Sequence, residues 1–199
     1  MDKEYWNDRY KSNETVYGHQ PNAFFKEQIL KLNPGKLLLP AEGEGRNALF
    51  AASIGWQVTA FDFSAEAMNK AIHAATLNHL TIDYTIQDIG EIRLPEQTYD
   101  AIGIIYVHQQ PALRKAFHQQ CVKALKPDGV LIFEAFSKQQ IKNTSGGPKD
   151  ISMLHSIETL LDDFEGLHIS YSKTEDLFLD EGQFHAGHAN VVRVLAAKP

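Results

Sequence analysis

The sequence predicts one α/β domain, a doubly wound and mostly parallel sheet that finishes in an antiparallel hairpin. Three observations predict it. Short apolar runs alternate with longer helical patterns over the first two thirds, as βαβ units require. A glycine-rich turn follows the first apolar run, at Gly43 and Gly45. The last two strand-like runs, 168–179 and 184–197, are separated by Asp180-Glu181-Gly182, which suits a hairpin and leaves no room for a helix. At 199 residues the chain fills one core and not two comfortable ones, and no shift of composition marks a boundary, so residues 1–199 are expected to form a single domain.

Each element has its own signal. Residues 1–30 carry Tyr5, Trp6, Tyr10 and Tyr17, which fit either an aromatic lid or a helix packed on the sheet. Leu37-Leu38-Leu39 is the first strand, stopped by Pro40, and Arg46 to Ile54 is a helix with a small-residue face, closed by Gly55. Gln57 to Phe61 is a strand ending at Asp62. Ser64 then stands as N-cap, with Glu66 in the first turn, for a helix to about Asn78. Ile82 to Ile86 is a third strand, ending at Asp88. Tyr99 to Tyr106 is nearly continuous apolar sequence, as in a strand buried on both faces. Pro111 opens a helix whose stripe includes Leu113, Phe117 and Leu125, and Lys126-Pro127-Asp128-Gly129 turns the chain into Val130 to Phe133. Residues 137–150, with Gly146-Gly147-Pro148, form a polar loop placed to touch substrate.

Composition narrows the partners. A net charge of -6 argues against nucleic acid, whose phosphates need clustered Lys and Arg. Cys121 is the only cysteine, so no intramolecular disulfide forms, and its helical, apolar setting marks an inert thiol. No apolar stretch is long enough to span a bilayer, and Met1-Asp2-Lys3-Glu4 lacks a signal-peptide profile. The expectation is a cytoplasmic protein without a membrane partner, monomeric or homodimeric.

In an open parallel sheet, ligands bind beyond the carboxyl ends of the strands. There the first strand opens into Ala41-Glu42-Gly43-Glu44-Gly45-Arg46-Asn47-Ala48, whose glycines admit a close ligand and whose following helix offers free amides. Gly43, Gly45 and Ala48 also satisfy the dinucleotide pattern G-x-G-x-x-A. Asp62 stands where a carboxylate accepts hydrogen bonds from ribose hydroxyls, and Asp88 where one receives an adenine amine. Charge separates the cofactors. Glu42 and Glu44 would repel a pyrophosphate, by several kcal/mol at about 4 Å and intermediate dielectric. S-adenosylmethionine has no phosphate and carries an ammonium and a sulfonium, which an acidic loop suits, while the helix amides remain for its carboxylate. An NAD(P)-dependent oxidoreductase is the disfavoured alternative, because the chain also has no room for a separate substrate domain.

These segments resemble the class I S-adenosylmethionine-dependent methyltransferases, and within them the small-molecule branch that includes tellurite-resistance and thiopurine methyltransferase-like proteins. The resemblance runs from Tyr5-Trp6-Asn7-Asp8-Arg9-Tyr10 and Tyr17-Gly18-His19-Gln20-Pro21-Asn22, similar to the family's lid, through the glycine loop, Phe61-Asp62-Phe63-Ser64, Gln87-Asp88-Ile89 and Leu125-Lys126-Pro127-Asp128-Gly129. It ends in Glu181-Gly182-Gln183-Phe184-His185-Ala186-Gly187-His188 and Val191-Val192-Arg193. It implies a Rossmann-like seven-stranded sheet with an antiparallel last strand, and methyl transfer to a small molecule such as a thiol or chalcogen anion. It also implies that Ala41 to Gly45 holds the methionine part, Asp62 the ribose and Asp88 with Ile89 the adenine, with Tyr17, Gly18, Arg46, Asn47, Phe63, Ser64 and Tyr106 also among the cofactor-binding residues. Two departures stand out: Leu39 replaces the family's first-strand acid and Ala41 its first glycine, so Glu42 is expected to supply the carboxylate. They also keep open a non-catalytic S-adenosylmethionine-binding protein.

Methyl transfer is an in-line displacement, and a base is needed only when the acceptor is protonated. The candidates are His108 beyond the fourth strand, His185 and His188 at the start of the last one, and His19 in the lid. Arg193 is a candidate counter-charge for an anionic acceptor. His185 and His188 have metal-like spacing, but three residues apart on a strand they face opposite ways without a third ligand, so no metal is expected.

Overall fold

The computed structural model describes residues 3–11, 15–182 and 184–199; Gln183 of the terminal motif therefore lies outside the described residues. Helices α1 (Lys3–Tyr10) and α2 (Ala23–Ile29) precede a seven-stranded sheet. Its strands are β1 (Lys36–Pro40), β2 (Gln57–Asp62), β3 (Asp83–Ile86), β4 (Tyr99–Ile105), β5 (Leu125–Phe136), β6 (His168–Asp180) and β7 (Ala186–Ala197). Helices α3 (Arg46–Ser53), α4 (Ala65–Leu77), α5 (Pro111–Ala124) and α6 (Ile157–Asp163) fall between them. The spatial order is β3-β2-β1-β4-β5-β7-β6. Strands β1 to β5 pair in parallel, and β7 runs antiparallel to both β5 and β6, so the expected seven-stranded, Rossmann-like architecture is present.

The two faces of β1 explain the doubly wound form. Alternate side chains of a strand point to opposite faces. Leu38 packs with Phe117 and Cys121 of α5 and Leu160 of α6. Leu37 and Leu39 pack on the other side with Phe25 of α2, Ala48 of α3 and Ala71 of α4. All three leucines are fully buried, at roughly 1.5–3 kcal/mol each of favourable transfer. Cys121 lies inside this core, and burial pushes its thiol well above the ordinary cysteine range. Among the described residues no helix is long and apolar enough to cross a membrane.

Local caps follow the sequence closely. The Ser64 side chain accepts from the Ala67 amide at the start of α4, and Pro111 occupies the first turn of α5. Two boundaries differ from expectation. Leu125 pairs with Tyr99 before residues 126–129 bulge out, with Asp128 at φ +63°, and pairing resumes at Ala101 and Val130. At the other end, β7 begins at Ala186 rather than Phe184, because Glu181 and His185 close a tighter loop through the Glu181 N–H to His185 carbonyl bond of 2.9 Å.

The register places the site. Pro40 stands level with Phe61, so the glycine loop leaves the sheet beside Asp62. Strands β1 and β4 are neighbours whose connections leave in opposite directions, and the crevice at that switch point is where such sheets bind ligands.

Candidate functional site

A cavity of about 540 Å³ opens at that crevice, within the usual range for small-molecule sites. Its floor is the glycine loop and the ends of β2 and β4. One wall carries the aromatic residues Tyr5, Trp6, Tyr10 and Tyr17, and the other is formed by residues 144–148, Met153 and Phe184 to Ala186.

At the floor the loop is shaped by its own acids. Gly43 has φ +63°, and a Cβ there would come 2.8 Å from the Tyr10 hydroxyl, so the lid's aromatic seat requires glycine. Ala41 adopts φ +48° where a glycine would be relaxed, and Tyr106 at the end of β4 adopts φ +54°; such backbone strain gathers at functional sites. Glu42 turns back onto α3. Its Oε1 accepts from the Asn47 and Ala48 amides at 2.8 Å each, and its Oε2 from the Asn47 side chain at 3.2 Å. The helix start that was expected to meet a ligand carboxylate is therefore occupied by the chain's own carboxylate. Burial raises the Glu42 carboxyl to about 7, against these hydrogen bonds, which lower it.

Asp62 joins two turns. Its Oδ2 accepts from the Gly43 amide at 3.1 Å and its Oδ1 from the Ser64 amide at 2.9 Å. It is 4% exposed, and burial raises it to about 6. Glu44 bonds Lys70 at 2.7 Å and accepts from the Val16 amide at 2.7 Å, which ties the N-terminal segment to the loop. Asp88 lies exposed at the cavity mouth, its Oδ1 accepting from the Gly90 amide at 2.7 Å, with Ile89 buried behind it.

The N-terminal segment includes the helix α1, and Tyr5, Trp6, Tyr10 and Tyr17 line the cavity. Trp6 stacks on Tyr10 with centroids 5.7 Å apart, and Tyr17 lies 4.6 Å from the His185 ring. Arg9 donates to the Tyr17 hydroxyl at 2.9 Å and lies 4.2 Å over the Phe184 ring. Arg46 donates to the Tyr17 carbonyl at 3.1 Å and to Glu181 at 2.9 Å, so it clamps this segment to the β6–β7 connection.

His185 sits in an aromatic box of Tyr17, Tyr106 and Phe136, its Nδ1 3.4 Å from Glu181. Burial lowers its pKa, though Glu181 pulls the other way. Across the cavity, the Nδ1 of His108 meets the Met153 carbonyl at 3.0 Å, and burial pushes this imidazole down to about 4. Behind it lies fully buried His155, which the sequence did not single out: a lone histidine between Leu154 and Ser156 carries no local signal of a partner.

Most of the sequence-predicted residues line this one cavity: Tyr17, Gly18, Ala41, Glu42, Gly43, Arg46, Asn47, Asp62, Phe63, Asp88, Ile89, Tyr106, His108 and His185. Others stand apart. Gly45 packs under α4, where a Cβ would meet Ala71 at 2.8 Å. Ser64 is buried as the α4 cap, and its hydroxyl donates to Asn7 of α1 at 2.6 Å. His188 is exposed on β7 against the ring of Phe178. Arg193 is turned away from the cavity: it bonds buried Glu134 at 2.5 Å and Glu175 at 2.6 Å, and lies over Phe24. His19, at the surface, bonds Thr15. Of residues 137–150, 144–148 line the cavity, and Gln140 and Ser145 are tied to β7 through Asn190 and the His188 carbonyl.

Residues 40–129 match a family model described as a methyltransferase domain. No curated protein matches the chain. TehB from Haemophilus influenzae superposes with a TM-score of 0.75 at 16% identity, over 99% of this chain and 67% of that one. Magnesium protoporphyrin IX methyltransferase from Synechocystis PCC 6803, solved with bound SAM, gives 0.70 at 17%, over 99% and 95%. A protein solved in work on conversion of a disulfide bond into a thioacetal group during echinomycin biosynthesis gives 0.79 at 16%, over 99% and 89%. At these identities the likeness shows the fold. The domain match covers residues 40–129, from the end of β1 through β4 and α5 into the start of β5.

Proposed function

We propose that the protein transfers a methyl group from S-adenosylmethionine to a small-molecule acceptor, of the thiol or chalcogen type. The observation that carries this reading is the position of Glu42. A dinucleotide site offers the amides at its helix start to a pyrophosphate. Here those amides are taken by a carboxylate, and Asp62 adds a second, buried acid to the same floor. Such a floor favours a cation and disfavours a phosphate.

Glu42, Gly43 and Asp62 would hold the amino-acid and ribose parts, and Asp88 with Ile89 the adenine. Tyr17, Gly18, Phe63 and Tyr106 complete the walls. When bound, the cofactor supplies a methyl group activated by a sulfonium. The chain then holds the acceptor in line and excludes water through its aromatic cover, and proximity of this kind provides much of the rate. His108 and His185 are the groups on the acceptor side that can take up a proton. His188 and Arg193 have no place in this reading, because their side chains lie elsewhere.

Thermal melting with S-adenosylmethionine, S-adenosylhomocysteine, NAD and NADP added separately tests it. A ligand at a hundredfold excess over its dissociation constant adds about 2.7 kcal/mol. For a chain of this length that is a rise of roughly 5–10 °C. A rise with either sulfur nucleoside, and none with NAD or NADP, is expected. A rise with a dinucleotide alone would return the oxidoreductase reading. Binding without turnover, across thiols and chalcogen anions, would favour a non-catalytic protein.

A further inference from the structure

His108 carries an arrangement that cofactor binding does not use. A carbonyl oxygen only accepts, so the 3.0 Å approach to Met153 places the proton on Nδ1 and leaves a bare lone pair on Nε2. That Nε2 is buried and has no hydrogen-bond partner among the described residues. The nearest imidazole, His155, lies 5.0 Å away between ring centroids. Its Nε2 meets the Val107 carbonyl at 3.1 Å, which by the same reasoning carries its proton there and leaves its Nδ1 bare. His155 therefore has no N–H to offer His108. Phe136, stacked on His108 at 5.7 Å and 14°, has no donor either. Buried acceptors without donors are rare and call for an explanation.

His108 lines the cavity and His155 does not, so of the two only the His108 side chain borders the space a ligand would take. An anion or another bare acceptor placed at Nε2 would meet a lone pair, whereas an X–H group would complete it. We propose that the Met153 carbonyl is the positioning group that fixes His108 as a hydrogen-bond acceptor, and that its Nε2 selects a methyl acceptor presenting an O–H, N–H or S–H over a preformed anion. Within the proposed function this places a protonated thiol ahead of a chalcogen anion.

The test reads the histidine itself. In long-range proton–nitrogen spectra of protein labelled with nitrogen-15 histidine, at pH 7, His108 is expected to show a protonated Nδ1 and a bare Nε2, and His155 the reverse. Phenol, anisole and benzoate then serve as probes with one ring and three headgroups. Phenol is expected to move the His108 Nε2 resonance and to bind at least tenfold more tightly than the other two. A protonated Nε2 on wild-type His108, no response to saturating phenol, or an equal response to anisole or benzoate overturns the proposal. The inference rests on the acceptor side of the proposed function but is read without the cofactor. A missing S-adenosylmethionine melting shift would therefore remove the function and leave this assignment standing.

Discussion

The two ends of the cavity treat charge in opposite ways. At the floor, half-buried Glu42 and buried Asp62 are acids raised to about 7 and about 6, and amide hydrogen bonds keep them in place without neutralising them. Beyond β4, His108 and His185 are imidazoles that burial lowers, so they stay neutral where an exposed histidine would begin to charge. One end is short of a positive charge. The other offers lone pairs and aromatic surface and holds its bases uncharged. A reaction that brings a cationic donor to a nucleophile needs this division, because a cation at both ends would repel and an acid at both ends would leave the nucleophile's proton nowhere to go.

Removing the floor's carboxylate gives the largest expected effect. Asp62→Ala loses hydrogen bonds to Gly43 and Ser64 together with a buried charge. Hydrogen bonds to charged groups contribute about 1.5–3 kcal/mol. Calorimetry should therefore show S-adenosylhomocysteine binding weakened at least tenfold. Undiminished affinity would mean that the floor does not hold the nucleoside.

Acidity gives the next effect. A carboxyl raised in the folded state stabilises the fold below its ordinary value of 4.5, and that contribution is lost as pH rises to about 7 for Glu42. A bound cation reverses the preference, since it favours the ionised form. S-adenosylmethionine should then bind about tenfold more tightly at pH 7.5 than at pH 6, with proton release. His108, lowered to about 4, does not titrate in that window. Glu42→Gln, whose amide oxygen can still accept from the Asn47 and Ala48 amides, should reduce the slope and the proton release, measured in buffers of different ionisation heat, to the smaller share of Asp62, which burial raises to about 6. An undiminished slope in this variant would place the linkage on another group.

Much of this division is legible in the sequence, and the reasons for the rest are physical. The succession of strands and helices, the caps at Ser64 and Pro111 and the glycine loop are local signals, and local chemistry is written residue by residue. Asp62 and His108 stand at strand ends in the sequence, which is where the cavity is. Nothing in the sequence puts Glu42 on the α3 amides, because an acid in a turn can face the ligand or the helix and only packing decides. Nor does it separate Arg193 from the site. The partner of Arg193, Glu134, lies 59 residues away on β5, brought opposite by the antiparallel pairing of β7. His155 reaches His108 across 47 residues, an approach set by the turn at Ile151–Met153.

The smallest expected effect sharpens the comparison most. If the acceptor end is defined by its cavity and not by histidine as such, His188 should be dispensable although it is three residues from His185. Its ring lies outside against exposed Phe178, edge to face at 5.3 Å. His185, 7% exposed, is packed among Tyr17, Tyr106 and Phe136. His188→Ala should leave stability within about 0.5 kcal/mol, as for an ordinary surface change, and cofactor affinity unaltered. His185→Ala in the same melting and calorimetry series should lower stability by about 1–3 kcal/mol, since it empties a buried aromatic site. Equal losses from the two substitutions would mean that the edge of the sheet around β6 and β7 contributes to the site as much as its interior does, and the division between a charged floor and a neutral acceptor wall would have to be redrawn to include it.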